Sequence, residues 1–280
     1  MSELSSHPVH EAVRSAYSAI ATVRGGGCCG PQSSCCGGAS AEAVAQGVGY
    51  SDAELATLPA GANLGLSCGN PTALADLQPG EVVLDLGAGG GLDVFLAAQR
   101  VGPTGRAIGL DMTREMVARA RQNAADFRRR TGLDNVAFHL GQIEAIPLPD
   151  ASVDVVISNC VLNLSPDQPA VWREIARVLK PGGRVSISDM VLLRPLPESV
   201  RADVLAHVGC IAGAALVGDL KAMIAAAGLV DLALEDKGGA VDAMLPEGDP
   251  LAERLADQLP AAGRPADYVA SMIIAARKGR

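Results

Sequence analysis

The run Val83–Asp93, VLDLGAGGGLD, constrains this chain more than any other stretch. An apolar strand ends in glycines and leads directly into an amphipathic segment. A turn of that kind brings backbone amides close to a ligand at the carboxyl edge of a parallel sheet. The dinucleotide fingerprint G-x-G-x-x-G is not met. Gly87 and Gly89 fill its first two positions, but the third is Leu92, and Gly91 comes one residue early. The run is better written D-x-G-x-G-x-G, led by Asp85, a form suited to a ligand without a pyrophosphate. Any tight strand-to-helix turn can be rich in glycine, so the turn Gly87-Ala88-Gly89 needs a second feature beside it. Asp111 supplies one, because a carboxylate at the end of the next strand accepts hydrogen bonds from both ribose hydroxyls. Turn and carboxylate together point to a nucleoside.

The surrounding pattern supports the same architecture. Val82–Leu86, Ala107–Leu110, Val136–Leu140, Val153–Asn159 and Arg184–Ser188 read as buried strands, and Leu92–Val101, Met112–Arg130 and Ala170–Leu179 as helices between them. This alternation predicts a parallel sheet with helices on both faces. Pro181-Gly182-Gly183 predicts a tight turn into a strand. Beyond Met190, Ser199–Ala215 and Asp219–Ala227 read as helices, then Leu229–Glu235 and Val269–Arg277 as late strands. Ahead of the core, His10–Val23 reads as a short helix, Ser51-Asp52-Ala53-Glu54 as a helix start, and Asn70-Pro71 as a capped one. Gly25–Ser40, GGGCCGPQSSCCGGAS, is of low complexity and reads as flexible. The expected organisation is an N-terminal segment with a flexible Cys-rich loop over 1–70, a ligand-binding core over 71–190, and a C-terminal part carrying the last strands over 191–280.

Composition excludes several functions. A net charge of −8 is wrong for nucleic acid, and an aromatic content of 2% offers no platform for stacked bases. With 49% hydrophobic residues and few aromatics, the core must be Ala, Leu, Val and Ile. The uncharged stretch Val204–Gly218 is too short to span a bilayer and contains His207. The amino terminus lacks a basic-then-apolar signal pattern. A cytoplasmic location without membrane attachment is therefore expected. In a reducing compartment the seven cysteines read as ligands or redox groups rather than a disulfide framework. Cys68, in LGLSCGNP, precedes a helix start that would favour its thiolate. Cys160, in VISNCVLNL, follows the fourth strand on the ligand edge of the sheet. Cys210, in HVGCIAGA, falls on an expected helix among small apolar residues and by local composition alone looks like core.

The D-x-G-x-G-x-G turn with an acidic second-strand end resembles class I S-adenosylmethionine (SAM) methyltransferases. The resemblance implies a Rossmann-like fold whose seven-stranded, mostly parallel sheet has its last strand antiparallel. It implies that Asp85, Gly87, Ala88 and Gly89 border the donor, that Asp111 holds the ribose, that Met112 packs on adenine, that Gln142, Ile143 and Glu144 border the ring, and that Asn159 faces the methionine part. More narrowly, LSCGNP, GLDMTREM, SVDVVISNCVLNLSPD, RVLKPGG and GCIAGA, in this order, look like bacterial arsenite SAM methyltransferases. That resemblance covers roughly Tyr50 to Leu229. It implies that Cys68, Cys160 and Cys210 gather around trivalent arsenic, supplied as arsenite or as a methylated or organic arsenical. It also implies that an N-terminal cysteine, Cys35 or Cys36, exchanges disulfides with Cys68, and that glutathione or thioredoxin restores the thiols. The biological role implied is arsenic detoxification. Arsenic(III) is soft and pyramidal, so three thiolates suit it. Two other readings stay open: a methyltransferase for another small molecule, and a non-enzymatic thiol sensor of metalloids. His139, His207 and Trp172 are assigned no catalytic role.

Overall fold

The computed structural model describes residues 7–22, 40–67, 69–238, 241, 250–259 and 264–280. Cys35, Cys36 and Cys68 lie outside them, as does most of the Gly/Cys/Ser stretch.

A seven-stranded sheet runs through the described residues in the order β3-β2-β1-β4-β5-β7-β6. Its strands are β1 Val82–Leu86, β2 Arg106–Asp111, β3 Val136–Leu140, β4 Val153–Asn159, β5 Leu179–Leu192, β6 Leu229–Asp236 and β7 Val269–Lys278. Strands β1 to β5 pair in parallel, and β7 lies antiparallel between β5 and β6. Strand order reverses between β1 and β4, and at that switch point a crevice opens beyond the carboxyl ends of the strands. The glycine turn follows β1 and Cys160 follows β4, so both sequence features arrive at this crevice.

Ten helices are used below: α1 Pro8–Thr22, α2 Ala41–Gly47, α3 Asp52–Thr57, α4 Pro71–Leu74, α5 Leu92–Val101, α6 Arg114–Thr131, α7 Gln168–Val178, α8 Glu198–Arg201, α9 Val204–Val208 and α10 Val217–Ala226. The caps read from sequence form. Ser51 and Glu54 make a reciprocal capping box on α3, and Asn70 accepts the Ala73 N–H at the start of α4. On one face of the sheet Trp172 and Ile175 of α7 pack on Leu84, Leu86 and Ile187. On the other, Phe95, Phe127 and Phe138 cluster over Val83 and Val155, with the Phe95 and Phe127 rings 4.9 Å apart. No helix among the described residues is long and apolar enough to cross a membrane.

Three expectations need correction. Pro181-Gly182-Gly183 is not a turn leading into a strand but a bulge inside β5. Val153 pairs with Leu179 and Val155 with Arg184, so 180–183 stand opposite Asp154 alone. The left-handed Gly182, at φ 80°, lets the strand re-enter register. Ser199–Ala215 is not one helix. It breaks into α8 and α9 and a tight turn, and Cys210 sits in that turn at φ 63° rather than on a helix. Helix α6 starts at Arg114, not Met112, because the Asp111 carboxylate accepts the Thr113 N–H at 2.8 Å and holds 111–113 as a turn. A further helix, Pro250–Gln258, has no counterpart in the sequence reading.

Candidate active site

A cleft of about 980 Å³, part of it open to solvent, lies at the switch point. Its floor is the turn after β1. The Gly87 and Ala88 amides both donate to the Leu110 carbonyl, at 2.8 and 3.0 Å, which binds the turn to the end of β2. Gly87 has φ 75°, and a Cβ there would stand 2.2 Å from the Val161 side chain. Gly89, at φ 51°, has nothing within 4 Å of the Cβ position and leaves the pocket clear. Its amide donates to Asp111 Oδ2 at 2.9 Å.

Three aspartates line this pocket. Asp85 is the next-to-last residue of β1, Asp93 lies in the first turn of α5 and Asp111 ends β2. Burial drives all three up from the usual carboxylate range. In Asp85 the charges of Asp93 and Asp111 add to it, while in Asp93 hydrogen bonds from Thr72, Tyr50 and Asn159 oppose it, and in Asp111 the Thr113 and Gly89 amides do. No lysine or arginine lines the pocket among the described residues. A ligand that brings positive charge would relieve this cluster. Asp93 accepts from Tyr50 Oη and Thr72 Oγ1, each at 2.8 Å. Asn159, at the end of β4, donates to the Gly69 carbonyl at 2.7 Å and lies 3.0 Å from Tyr50 Oη. Met112, Ile143 and Glu144 complete the wall.

Gln142 is the exception, since it does not line the pocket. Its amide is buried and donates to His10 Nδ1 of helix α1 at 2.9 Å. The other ring nitrogen, His10 Nε2, lies 2.9 Å from Glu144 Oε1. A carboxylate oxygen only accepts, so Nε2 carries the hydrogen. Glu144 also accepts from the Ser165 hydroxyl.

On the far side of Asn159 stand the two described cysteines. Cys160 is 7% exposed and Cys210 6%. The Cys210 thiol donates to the Cys160 carbonyl at 3.1 Å, so residues 50 positions apart in the chain are in contact. Both backbones are left-handed, at φ 55° and 63°. That conformation is strained for residues with a Cβ and persists only where the surroundings impose it. Here the restraint is visible. The Cys160 amide donates to the Ser188 carbonyl at 2.8 Å, and Asn163 Nδ2 donates to Asp189 Oδ1, the Met190 carbonyl and the Cys210 carbonyl at 2.8, 2.6 and 3.2 Å. Cys160 is disulfide-bonded. Cys210 is free. Burial, then the charge of Asp189, pushes the Cys210 thiol well up, against an opposing hydrogen bond from Tyr17. Burial also lifts Asp189 to about 7, although backbone amides from Met190, Leu162 and Asn163 favour its charged form. Cys68, Cys35 and Cys36 are outside the described residues, so the structure brings together two of the expected thiol positions.

Sequence reasoning missed His10, Tyr17, Tyr50, Asp93 and Asn163. His10, Val13 and Tyr17 do show helical spacing on one face, but periodicity reports a buried face without naming what buries it. Asp93 reads as an ordinary first-turn acid, and Tyr50 reaches it only in three dimensions.

A family model described as a methyltransferase domain matches residues 77–228. An arsenite methyltransferase of Halobacterium salinarum is 47% identical over 236 residues, or 81% of this chain and 59% of that protein. The arsenite methyltransferase of Homo sapiens is 38% identical over 137 residues, 47% of this chain and 36% of that protein. The chain thus spans less than two thirds of the length of either relative. Among solved structures, CrArsM, an arsenic(III) S-adenosylmethionine methyltransferase from Chlamydomonas reinhardtii, superposes with a TM-score of 0.63 at 33% identity, covering 85% of this chain and 73% of that one.

Proposed function

The chain belongs to the arsenic(III) S-adenosylmethionine methyltransferase family, and from that premise we propose that it methylates trivalent arsenic held on its own cysteine thiolates. The observation that carries this reading is the contact of Cys210 with Cys160, one residue beyond Asn159 on the wall of the donor pocket. A methyltransferase for an oxygen or nitrogen acceptor has no need of two buried cysteines there.

The pocket fits SAM. The donor carries a sulfonium and an ammonium group, and the pocket offers Asp85, Asp93, Asp111 and Glu144 with no lysine or arginine among its described lining residues. Asp111 would hold the ribose hydroxyls, Met112 and Ile143 the adenine faces, and Asp85 with Asn159 the methionine end. Bound there, SAM supplies an electrophilic methyl group on its sulfonium sulfur.

The chain's own groups do the rest. Thiolates strip oxygen or thiol ligands from arsenic and fix its pyramid, which aims the lone pair into the pocket. No general base is required, because that lone pair bears no proton. The protein contributes chiefly alignment, which can be worth about 7–11 kcal/mol. Asn159, fastened to Gly69, and Cys160 follow one another at the end of one strand, so β4 sets the distance between donor site and acceptor site. Buried walls around Ile143, Leu164 and Val161 exclude water from the reacting groups. Because Cys160 stands in a disulfide, a thiol reductant such as glutathione or thioredoxin must open it before that sulfur can bind arsenic.

The test is methyl transfer to arsenite by the full chain with thiol present, with arsenic species followed over time. Mono- and dimethylated arsenic should appear with the wild-type protein, and both Cys160→Ser and Cys210→Ser should be severely impaired. Wild-type rates in either variant would overturn the site.

A further inference from the structure

Helix α1 lies outside the sheet, yet one of its faces meets both halves of the pocket. His10, Val13 and Tyr17 share that face and all line the cavity. His10 is 4% exposed, and burying an imidazole is costly unless its nitrogens are paired. Both are paired, to Gln142 and Glu144, on the segment that follows β3 at the donor end. Two turns on, Tyr17 packs against the cluster that contains Cys160 and Cys210 and lines the cavity beside Cys160, at the acceptor end. Val13, between them, is 2% exposed and belongs to the same cluster as the two cysteines. Among the described residues, α1 is also tied to the body by Ser18 to Glu115 at 2.6 Å and the Ala21 carbonyl to Arg119 at 3.1 Å, both toward α6. An apolar face would have anchored the helix at lower cost. Instead its buried His10 and part-buried Tyr17 fall one on each functional half, about 10 Å apart along a stiff rod.

We infer that α1 is a clasp between donor and acceptor, with His10 and Tyr17 as positioning residues that fix the acceptor thiol against the donor pocket. The inference rests on the reading above for what donor and acceptor are. Glu144 and Gln142 hold His10, the helix carries that constraint to Tyr17, and the Tyr17 hydroxyl orients the Cys210 sulfur. Filling the donor pocket orders the Glu144 wall, tightens α1, and thereby strengthens the hold on arsenic. By linkage, arsenic tightens the donor equally.

The test uses the full reduced chain with S-adenosylhomocysteine as the donor-site probe and arsenite as the acceptor probe. Hydrogen–deuterium exchange of residues 8–22 should slow by about threefold or more when S-adenosylhomocysteine binds the wild-type protein, and should not respond in His10→Ala. His10→Gln should keep part of the response, since its amide can still donate to Glu144. This variant also decides the matter if His10→Ala does not fold. In Tyr17→Phe, arsenite affinity should fall about threefold to tenfold with S-adenosylhomocysteine affinity unchanged, and S-adenosylhomocysteine should no longer tighten arsenite. The clasp is overturned if exchange in α1 ignores the probe in wild-type protein, or if the mutual tightening survives in both His10→Gln and Tyr17→Phe at wild-type strength. A wild-type protein that fails to bind S-adenosylhomocysteine overturns the clasp and the proposed activity together. One that binds it but leaves arsenite unmethylated overturns the activity, while the exchange data still decide the clasp.

Discussion

The two halves of the pocket are built in different ways. The donor half is mostly backbone and near neighbours: Asp85, Gly87, Ala88 and Gly89 are consecutive or nearly so, and Asp111 ends the strand paired to β1. The acceptor half is side chains from far-apart segments, with Tyr17 from α1, Cys160 after β4 and Cys210 from the turn after α9, fastened together by Asn163. A site built from one turn survives as a motif. A site assembled by folding depends on every element that carries a part of it. The first should therefore fail all at once and the second piece by piece.

Gly87→Ala should give the largest effect. It forces a Cβ to 2.2 Å from Val161 at φ 75°, and both the strain and the overlap must be met by moving the turn. We expect a loss of about 3 kcal/mol or more in stability and no measurable S-adenosylhomocysteine binding, read by chemical unfolding and calorimetry. Gly132→Ala, at the left-handed C-cap of α6 but with nothing within 4 Å of its Cβ, should cost only about 1 kcal/mol and leave binding intact. Equal losses at the two glycines would mean that the turn has no special place in the donor site.

Cys210→Ser comes next and breaks the acceptor half alone. Methyl transfer to arsenite should fall by roughly 100-fold, while S-adenosylhomocysteine affinity stays within about twofold of wild type. A matching loss of donor affinity would show that the halves are not separate structures. Asp111→Asn runs the other way. It should weaken S-adenosylhomocysteine by about tenfold, as expected for a lost charged hydrogen-bond acceptor, and leave arsenite binding in the absence of donor unchanged.

That division also explains what the sequence could disclose. Strands β1, β3 and β4 and helix α5 fall where alternation and apolar runs place them, and the turn after β1 carries its own signature. The end of α9 was misread because LAHVGCIAGA has helical composition throughout. Only the cross-chain bonds of Asn163 and the left-handed Cys210 reveal that the chain turns there. Gln142 lay on the expected loop, yet nothing local shows that His10 would claim its amide. Cys68 and Cys160 stood out by their places before a helix start and after the fourth strand, whereas Cys210 was singled out by family resemblance, since alone it looks like core. Its contact with Cys160 is a long-range fact with no local trace.

A contact outside both halves gives the smallest effect and serves as a control. Glu81, just before β1, pairs with Arg184 of β5 at 2.6 Å. Partial burial pushes Glu81 up, but hydrogen bonds from Arg184 and the Gln78 amide outweigh it and hold the carboxyl below its usual range. A depressed carboxyl stabilises the fold above its unfolded value near 4.5 and loses that contribution as pH falls through the lower folded value. Glu81→Gln should flatten the acid limb of stability against pH by less than about 1 kcal/mol. Donor and arsenite affinities at neutral pH should not change. A shift in either would extend the site beyond the pocket.

The central claim, that sulfur from separate parts of the chain converges on one arsenic atom beside the donor, is tested most directly by arsenic K-edge X-ray absorption. The sample is the full reduced chain loaded with equimolar arsenite and S-adenosylhomocysteine. The account predicts arsenic bound by sulfur alone in the wild-type protein, with one sulfur lost from that shell in Cys210→Ser. Arsenic bound by oxygen in the wild-type protein, or an unchanged sulfur shell in the variant, would contradict it.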